Sequence, residues 1–436
     1  MQTENIQLSA PFDMPMIGVP DFSDCPLFDI VDFGAQQGRD DLAKAANNQA
    51  IAHAIEAANA QGGGTVIVPA GTWLCGKIHL KSYVNLHVAQ GATLLFSALP
   101  TDYLPAVLTS WEGMECYNYS PLIYALECEH VAISGKGTLL AQMDVWTPWG
   151  ARPNAHMEAL AGLYHQAAKY EPVEQRQMVF DGAHLRPHFI QFNRCKHVLV
   201  ENIQIENSPF WVLHPFLCRD VVIRKVSVRA HGHNNDGVDP EMTQNMLIED
   251  CIFDQGDDAI ALKAGRNQDG WRLNVPSKNI VIRRCHIKCA HHLVAIGSEL
   301  SAGIENVLIQ DCQFDGQTDY QDAGNLLYIK TNERCGGVVK HIYMQNIRAQ
   351  KLGGAALVIE TDVLYQWREL VPTYERRLTI IEQIYLDTIQ AQQAEHLCRI
   401  EGQQEAPVQQ ITLSNINMST KAKAVVNRHV ERFILQ

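Results

Sequence analysis

The sequence is short of positive charge: 35 Lys and Arg stand against 48 Asp and Glu, for a formal net charge of −13. Phosphate recognition needs a basic face, so a nucleic-acid partner is excluded. No stretch reaches the roughly 18 apolar residues needed to span a bilayer, and no membrane partner is expected. Residues 1–30 carry no basic start followed by an apolar run, so no secretory signal is visible and a cytoplasmic protein is expected. The 12 cysteines include no CxxC pair and no compact scaffold spacing. They read as free thiols of a reducing compartment rather than disulfides or metal ligands. Nothing in the sequence specifies an oligomeric state. With 46% hydrophobic residues, the chain can build one long continuous core.

What the sequence does have is a recurring unit: three mostly apolar residues, two polar ones, then one apolar. It reads Val198-Leu199-Val200 with Ile203, Val221-Val222-Ile223 with Val226, and Met246-Leu247-Ile248 with Cys251. It returns as Ile280-Val281-Ile282 with Cys285 and Val307-Leu308-Ile309 with Cys312, and weaker copies start at Ile342, Ile384 and Ile411. The intervals run from 23 to 42 residues. Short β-branched segments at that spacing predict a solenoid with one strand-turn-strand per coil, each coil burying its apolar face only by stacking on its neighbours. The expected fold is therefore all-β, a single-stranded parallel β-helix. Cys251, Cys285 and Cys312 share one position in successive coils and read as a stacked interior ladder. Residues 48–60 place Ile51, Ala54, Ile55 and Ala58 on one face before Gly62-Gly63-Gly64, which predicts a helix over about 48–61 capping the open end. Residues 1–30 read as an N-terminal extension and 31–436 as the β-helix. The stretch 145–188 fits no coil and predicts a long excursion of the kind that shapes binding sites.

Acidic residues fall in adjacent coils, as Asn234-Asn235-Asp236-Gly237-Val238-Asp239 and Gln255-Gly256-Asp257-Asp258-Ala259-Ile260. Aligning the coils puts Asp236 level with Asp258, and His291 of Ala290-His291-His292 level with Asp257. Lys330 comes level with Lys263 and Gly297. At about 4.8 Å between coils, such carboxylates cannot all ionise at their ordinary pKa, and one should hold a proton near neutral pH. That is the division of labour glycoside hydrolysis needs, one acid for the leaving oxygen and one base for water. Asp239 and Asp254 read instead as turn residues, and His53 and His197 as structural or exposed.

Around these residues the sequence resembles glycoside hydrolase family 28, the polygalacturonase family. Its markers NTD, GDD, GHG and RIK are matched in order by Asn234-Asn235-Asp236, Gly256-Asp257-Asp258, Ala290-His291-His292 and Tyr328-Ile329-Lys330. Asp32-Phe33-Gly34-Ala35 and Gly62-Gly63-Gly64-Thr65-Val66 resemble the start of many pectin-degrading β-helices. The resemblance spans roughly residues 28–345 and implies a right-handed helix and inverting hydrolysis of α-linked galacturonic-acid-containing pectic oligosaccharides, without metal or organic cofactor. By position, Asp257 is the implied general acid, Asp236 and Asp258 hold and activate water, and His291 tunes the acid or touches substrate. Lys330 is implied to bind a sugar carboxylate, with Tyr328, Asn235, Lys263 and His292 as further substrate contacts. Tyr328 stands where the family has Arg and offers one hydrogen bond and no charge, so Arg334 is a candidate to supply the missing cation. The excursion at 145–188 could close one end of the groove, as exo cleavage requires.

Three other readings remain. The substrate could be a rhamnogalacturonan or another uronic-acid glycoside. A non-catalytic carbohydrate-binding β-helix would use exposed aromatics such as Trp111, Trp146, Trp149 and Trp211 instead of clustered acids. An eliminase on the same architecture would need a strong base and Ca²⁺.

Overall fold

The computed structural model describes residues 2–317 and 324–436. Its strands pair almost entirely in parallel, and each full coil contributes to three sheets. The sequence repeat is the register of the first sheet. Val198 pairs with Val221, then Met246, Ile280, Val307, Ile342, Ile384 and Ile411 follow, coil upon coil. In each copy the second polar residue turns the chain into the next sheet. Asn202, Lys225, Asp250, Arg284, Asp311, Asn346, Thr388 and Asn415 all have φ between 51° and 61°. Asn and Asp reach this left-handed conformation at little cost; Lys, Arg and Thr are held there because the coils above and below fix the bend.

The first and third apolar residues of each unit face the interior, where they join one continuous core. Cys251, Cys285 and Cys312 lie in that core as unbonded thiols, each donating to the carbonyl two residues earlier. A second file of Cys128, Cys195 and Cys218 repeats the arrangement. Its spacing is masked in sequence by the excursion. At the entrance to the first sheet the Asn245 amide donates to Asp220 at 3.0 Å, Asn279 to Asn245 at 3.1 Å, and Asn306 to Asn279 at 3.0 Å. This amide ladder satisfies buried polar groups across four coils.

The middle residue of each apolar triplet points outward, which the pattern alone leaves unexplained. Ala132, Leu199, Val222, Leu247, Val281 and Leu308 are buried there by Leu8, Met14, Ile17 and Val19. These belong to the N-terminal residues, where Gln2–Ile6 pairs antiparallel with Ile17–Asp21. The extension is thus a cover for one outer face. The solenoid itself is already under way at Leu27–Asp29, which pairs with Thr65–Ile67, a few residues before the division expected at residue 31.

The end helix runs Asp41–Ala60, starting seven residues before the expected 48. Asp40 caps it, its side chain accepting from the Ala43 amide at 2.8 Å. The added turns bury Lys44 and Asn47, whose side chains bond Asp102 and the Leu74 carbonyl. A polar buried face has no apolar periodicity to read. The excursion holds helices Trp146–Gly150 and Asn154–Ala168. Leu160, Leu163, Tyr164 and Ala167 pack with Trp111, Met114, Phe210 and Trp367 in a separate apolar cluster over the third sheet. No helix among the described residues is long and apolar enough to cross a membrane.

Candidate active site

The third sheet carries the clustered acids. Val238 bridges Leu213 and Ile260, and Ile260 pairs with Val294. Leu262 pairs with Ile296, which pairs with Ile329. Asp236 is therefore level with Asp258, Asp257 with His291, and Lys263 with Gly297 and Lys330. The backbone locks the register: the Gly237 amide donates to the Asp258 carbonyl at 3.0 Å, and the His291 amide to the Asp257 carbonyl at 2.9 Å. Position 237 must be glycine for the coils to close this tightly, since a Cβ there would lie 2.6 Å from the Ala259 carbonyl oxygen.

Burial and mutual charge then separate the acids. Asp236 is 3% exposed. Burial first, and the Asp257 charge second, hold its carboxyl well above the usual range. Asp257 behaves oppositely. Burial pushes its carboxyl up, but the hydrogen bond and charge of His291, with Lys330 and Lys263 behind, outweigh it and hold it down. His291 Nδ1 lies 3.1 Å from Asp257 Oδ1. Its imidazole is raised by Asp257 despite burial, so the pair holds one proton, mainly on the ring. Lys330 Nζ stands 3.4 Å from Asp258 Oδ2, and Asp258 keeps its positive charge against the burial that would remove it. Asp239, expected as a turn residue, is fully buried; burial and then Asp236 push its carboxyl well up. It backs Asp236 from inside the coil.

A cavity of about 340 Å³ opens above these groups, lined by Asp236, Asp257, His291, His292, Lys263, Lys330 and Tyr328. Its wall includes groups that no coil pattern could reveal. Glu112 comes from the Val107–Trp111/Met114–Asn118 hairpin, Arg152 from the excursion, and Tyr365, Gln366 and Trp367 from a later loop. Arg152 binds Glu112 at 2.6 Å, and Arg266 binds both Glu112 and Glu299. Lys263 Nζ lies 3.1 Å from Glu299 and 5.0 Å from the centroid of Trp211. Of the four tryptophans weighed as a sugar platform, Trp211 lines the cavity; Trp111 stacks on Phe210 in the excursion cluster instead.

Two expected substrate contacts lie elsewhere. Asn235 is buried with its amide donating to the Ser208 and Phe210 carbonyls at 2.9 and 3.0 Å, so it braces the turn, while Asn234 lines the cavity. Arg334 does not line the cavity; its guanidinium donates to the Trp367 carbonyl at 3.1 Å and to Thr373 at 3.0 Å, anchoring the loop that carries Trp367. His292 does line it, neutral because burial lowers its imidazole to about 4, with Nε2 3.8 Å from Asp258. Tyr328 donates its hydroxyl to Glu360 at 2.5 Å. Asp257, Asp258 and His291 also bring potential metal-ligand atoms within 4.8 Å of one another. Lys330 and the Asp257–His291 contact already serve those atoms, so a cation there would displace existing charge pairs. A second grouping, His231, Asp254 and Cys289, does not line the cavity, and Asp254 serves there as the partner of His231 at 2.7 Å.

Buried, pKa-separated carboxylates at the floor of a cavity lined by paired cations and acids are the equipment of a glycosidase, and the comparisons agree. A structure described as a hyperthermoactive exopolygalacturonase from Thermotoga maritima is 36% identical with a TM-score of 0.84, covering 96% of this chain and 94% of that one. A "Probable polygalacturonase" of Vitis vinifera is 28% identical over 91% of this chain and 74% of its own length. An "Exo-poly-alpha-D-galacturonosidase" of Dickeya chrysanthemi is 24% identical, but the match spans only 54% of its length. The Thermotoga structure and this chain share the right-handed parallel β-helix. The profile of "Glycosyl hydrolases family 28" matches residues 168–432, and the chain belongs to that family.

Proposed function

We propose that the protein is an exo-acting, inverting hydrolase that removes a terminal α-linked galacturonate from pectic oligosaccharides. The observation that carries this reading is the pair Asp236 and Asp257 lining a cavity walled by the Glu112 hairpin and Arg152 of the excursion, with Asp258 buried behind them beside Lys330. A wall on one side suits the end of a chain. Arg152, Lys263, Arg266 and Lys330 line that end as charged donors for a uronate, each also facing an acidic side chain of the protein.

Asp257 with His291 supplies the proton to the leaving oxygen. Sugar filling the cavity expels water, which favours the neutral form of the pair, with the proton on Asp257. Asp258 and Asp236 hold the attacking water, Lys330 Nζ stands 3.4 Å from Asp258, and Asp239 backs Asp236. An acid and base separated by a water molecule give inversion. The 12 cysteines are all free and 11 are buried, in keeping with action in the cytoplasm on short oligosaccharides; cell fractionation that recovers the protein outside would remove that point.

The test is an NMR time course with oligogalacturonides beside Asp257→Asn. First appearance of the β-anomer and of monogalacturonate, lost in the variant, is expected. Cleavage should persist in chelator and give no unsaturated, ultraviolet-absorbing product. An α-anomer first, or an unsaturated product, would overturn the mechanism.

A further inference from the structure

The cavity continues past His291, His292 and Tyr328 into an open groove of about 750 Å³ toward the C-terminal coils. Its charges differ from those of the walled cavity. The cavity is lined by four Lys or Arg side chains, Arg152, Lys263, Arg266 and Lys330, which match its four acids Glu112, Asp236, Asp257 and Glu299 in number, whereas the groove sets two acids against one Arg. Among the described residues lining the groove, Arg399 is the one Lys or Arg, and it is already engaged, 2.5 Å from Glu360. Glu360 also takes the Tyr328 hydroxyl, so the tyrosine's donor is directed at a carboxylate. Glu395 adds a second acid to the same lining. His292 is neutral, and His396 gives Nδ1 to the Lys423 carbonyl at 2.8 Å. His291, the other imidazole facing the groove, is matched by Asp257.

We propose that the groove is the subsite for the leaving side of the scissile bond and that it takes a neutral sugar, the Tyr328–Glu360–Arg399 chain setting this preference. The proposal rests on the reading that the walled cavity holds the terminal galacturonate. A uronate in the groove meets Glu360 and Glu395 and finds its one Arg occupied. A neutral pyranose loses nothing, and its hydroxyls can donate to those same carboxylates and stack on Tyr328 and Tyr365. The protein would thus act where galacturonate is linked to an uncharged sugar, or to a galacturonate whose carboxyl is esterified.

The test compares α-1,4-digalacturonate with galacturonosyl-α-1,4-galactose, which differs only in lacking the groove-side carboxylate. The neutral disaccharide is expected to have a kcat/KM about tenfold higher or more, the scale of one repelled charge a few ångströms away in a partly hydrated site. Added salt should narrow the gap. Glu360→Gln, which frees Arg399, should shift preference toward digalacturonate, and Tyr328→Arg should shift it further. If Tyr328→Arg does not fold, Glu360→Gln decides alone. Equal or faster cleavage of digalacturonate by the wild type, or a gap unchanged in Glu360→Gln, would overturn the proposal while leaving the hydrolase reading intact. Cleavage of neither disaccharide would overturn that reading and this proposal with it.

Discussion

Replacing His291 with Gln isolates the proton that the site keeps for the leaving group. The His291 Nδ1 to Asp257 Oδ1 contact is 3.1 Å, between side chains only 21% and 19% exposed. A charge-assisted hydrogen bond of that kind contributes roughly 1.5–3 kcal/mol, which corresponds to about one to two pH units on either partner. In the wild type His291 is raised and Asp257 lowered, so the shared proton is lost only as pH rises through the raised imidazole value. Without the ring, Asp257 loses its hydrogen bond and the imidazolium charge, while burial and the opposing charges of Lys330 and Lys263 remain. Its carboxyl then rises, and it must hold the proton alone, at a pKa still below that of the lost imidazolium. The alkaline limb of kcat/KM should therefore move toward acid by about one unit or more. Activity at neutral pH should fall roughly 10- to 100-fold, with some return below pH 6. The assay is the pH profile of both proteins on one oligogalacturonide. A variant that keeps the wild-type alkaline limb would show that the ring does not hold the working proton.

Two further outcomes concern the charges beneath the cavity. Glu299→Gln leaves Lys263 and Arg266, both buried, short of their shared carboxylate. The expected loss is about 3–5 kcal/mol, seen as a lower unfolding midpoint in denaturant, and an unchanged midpoint would refute the pairing. Glu241 bonds His214 at 2.9 Å and Ser110 at 3.0 Å, and burial raises its carboxyl to about 8. A raised carboxyl contributes stability that is full below its unfolded value of 4.5 and is lost as pH rises through 8. Glu241→Gln should flatten the fall of Tm over that window; an equal fall in both proteins would point to another group.

How much of this could be read beforehand follows from how a solenoid stores information. Each coil repeats the position of the one before it, so aligning Val238 with Ile260 and Val294 brought Asp236, Asp257, Asp258, His291 and Lys330 together without knowledge of the path between them. The cysteine file was legible for the same reason. Groups that enter from outside the repeat were not. Glu112 and Arg152 reach the cavity from a hairpin and an excursion whose positions depend on packing against Phe210 and Trp367. Arg334 looked available because it follows Lys330 by four residues, yet it anchors a loop. Asn235 sits beside Asp236, and alternation along the chain sends its amide inward. The outward apolar residues of the triplets gave the one unread clue that the first thirty residues must cover something.

The wall that receives the chain end also governs how products leave. A monosaccharide released at the floor lies behind Arg152 and the Glu112 hairpin, with the remaining oligosaccharide across the mouth. It can diffuse out only after that longer piece has let go. Such an enzyme cannot slide along its substrate and cut again; each turnover requires complete dissociation. Chains in a mixture should therefore shorten together by one unit at a time, and accumulated monogalacturonate should slow the reaction by re-entering the space it has just vacated.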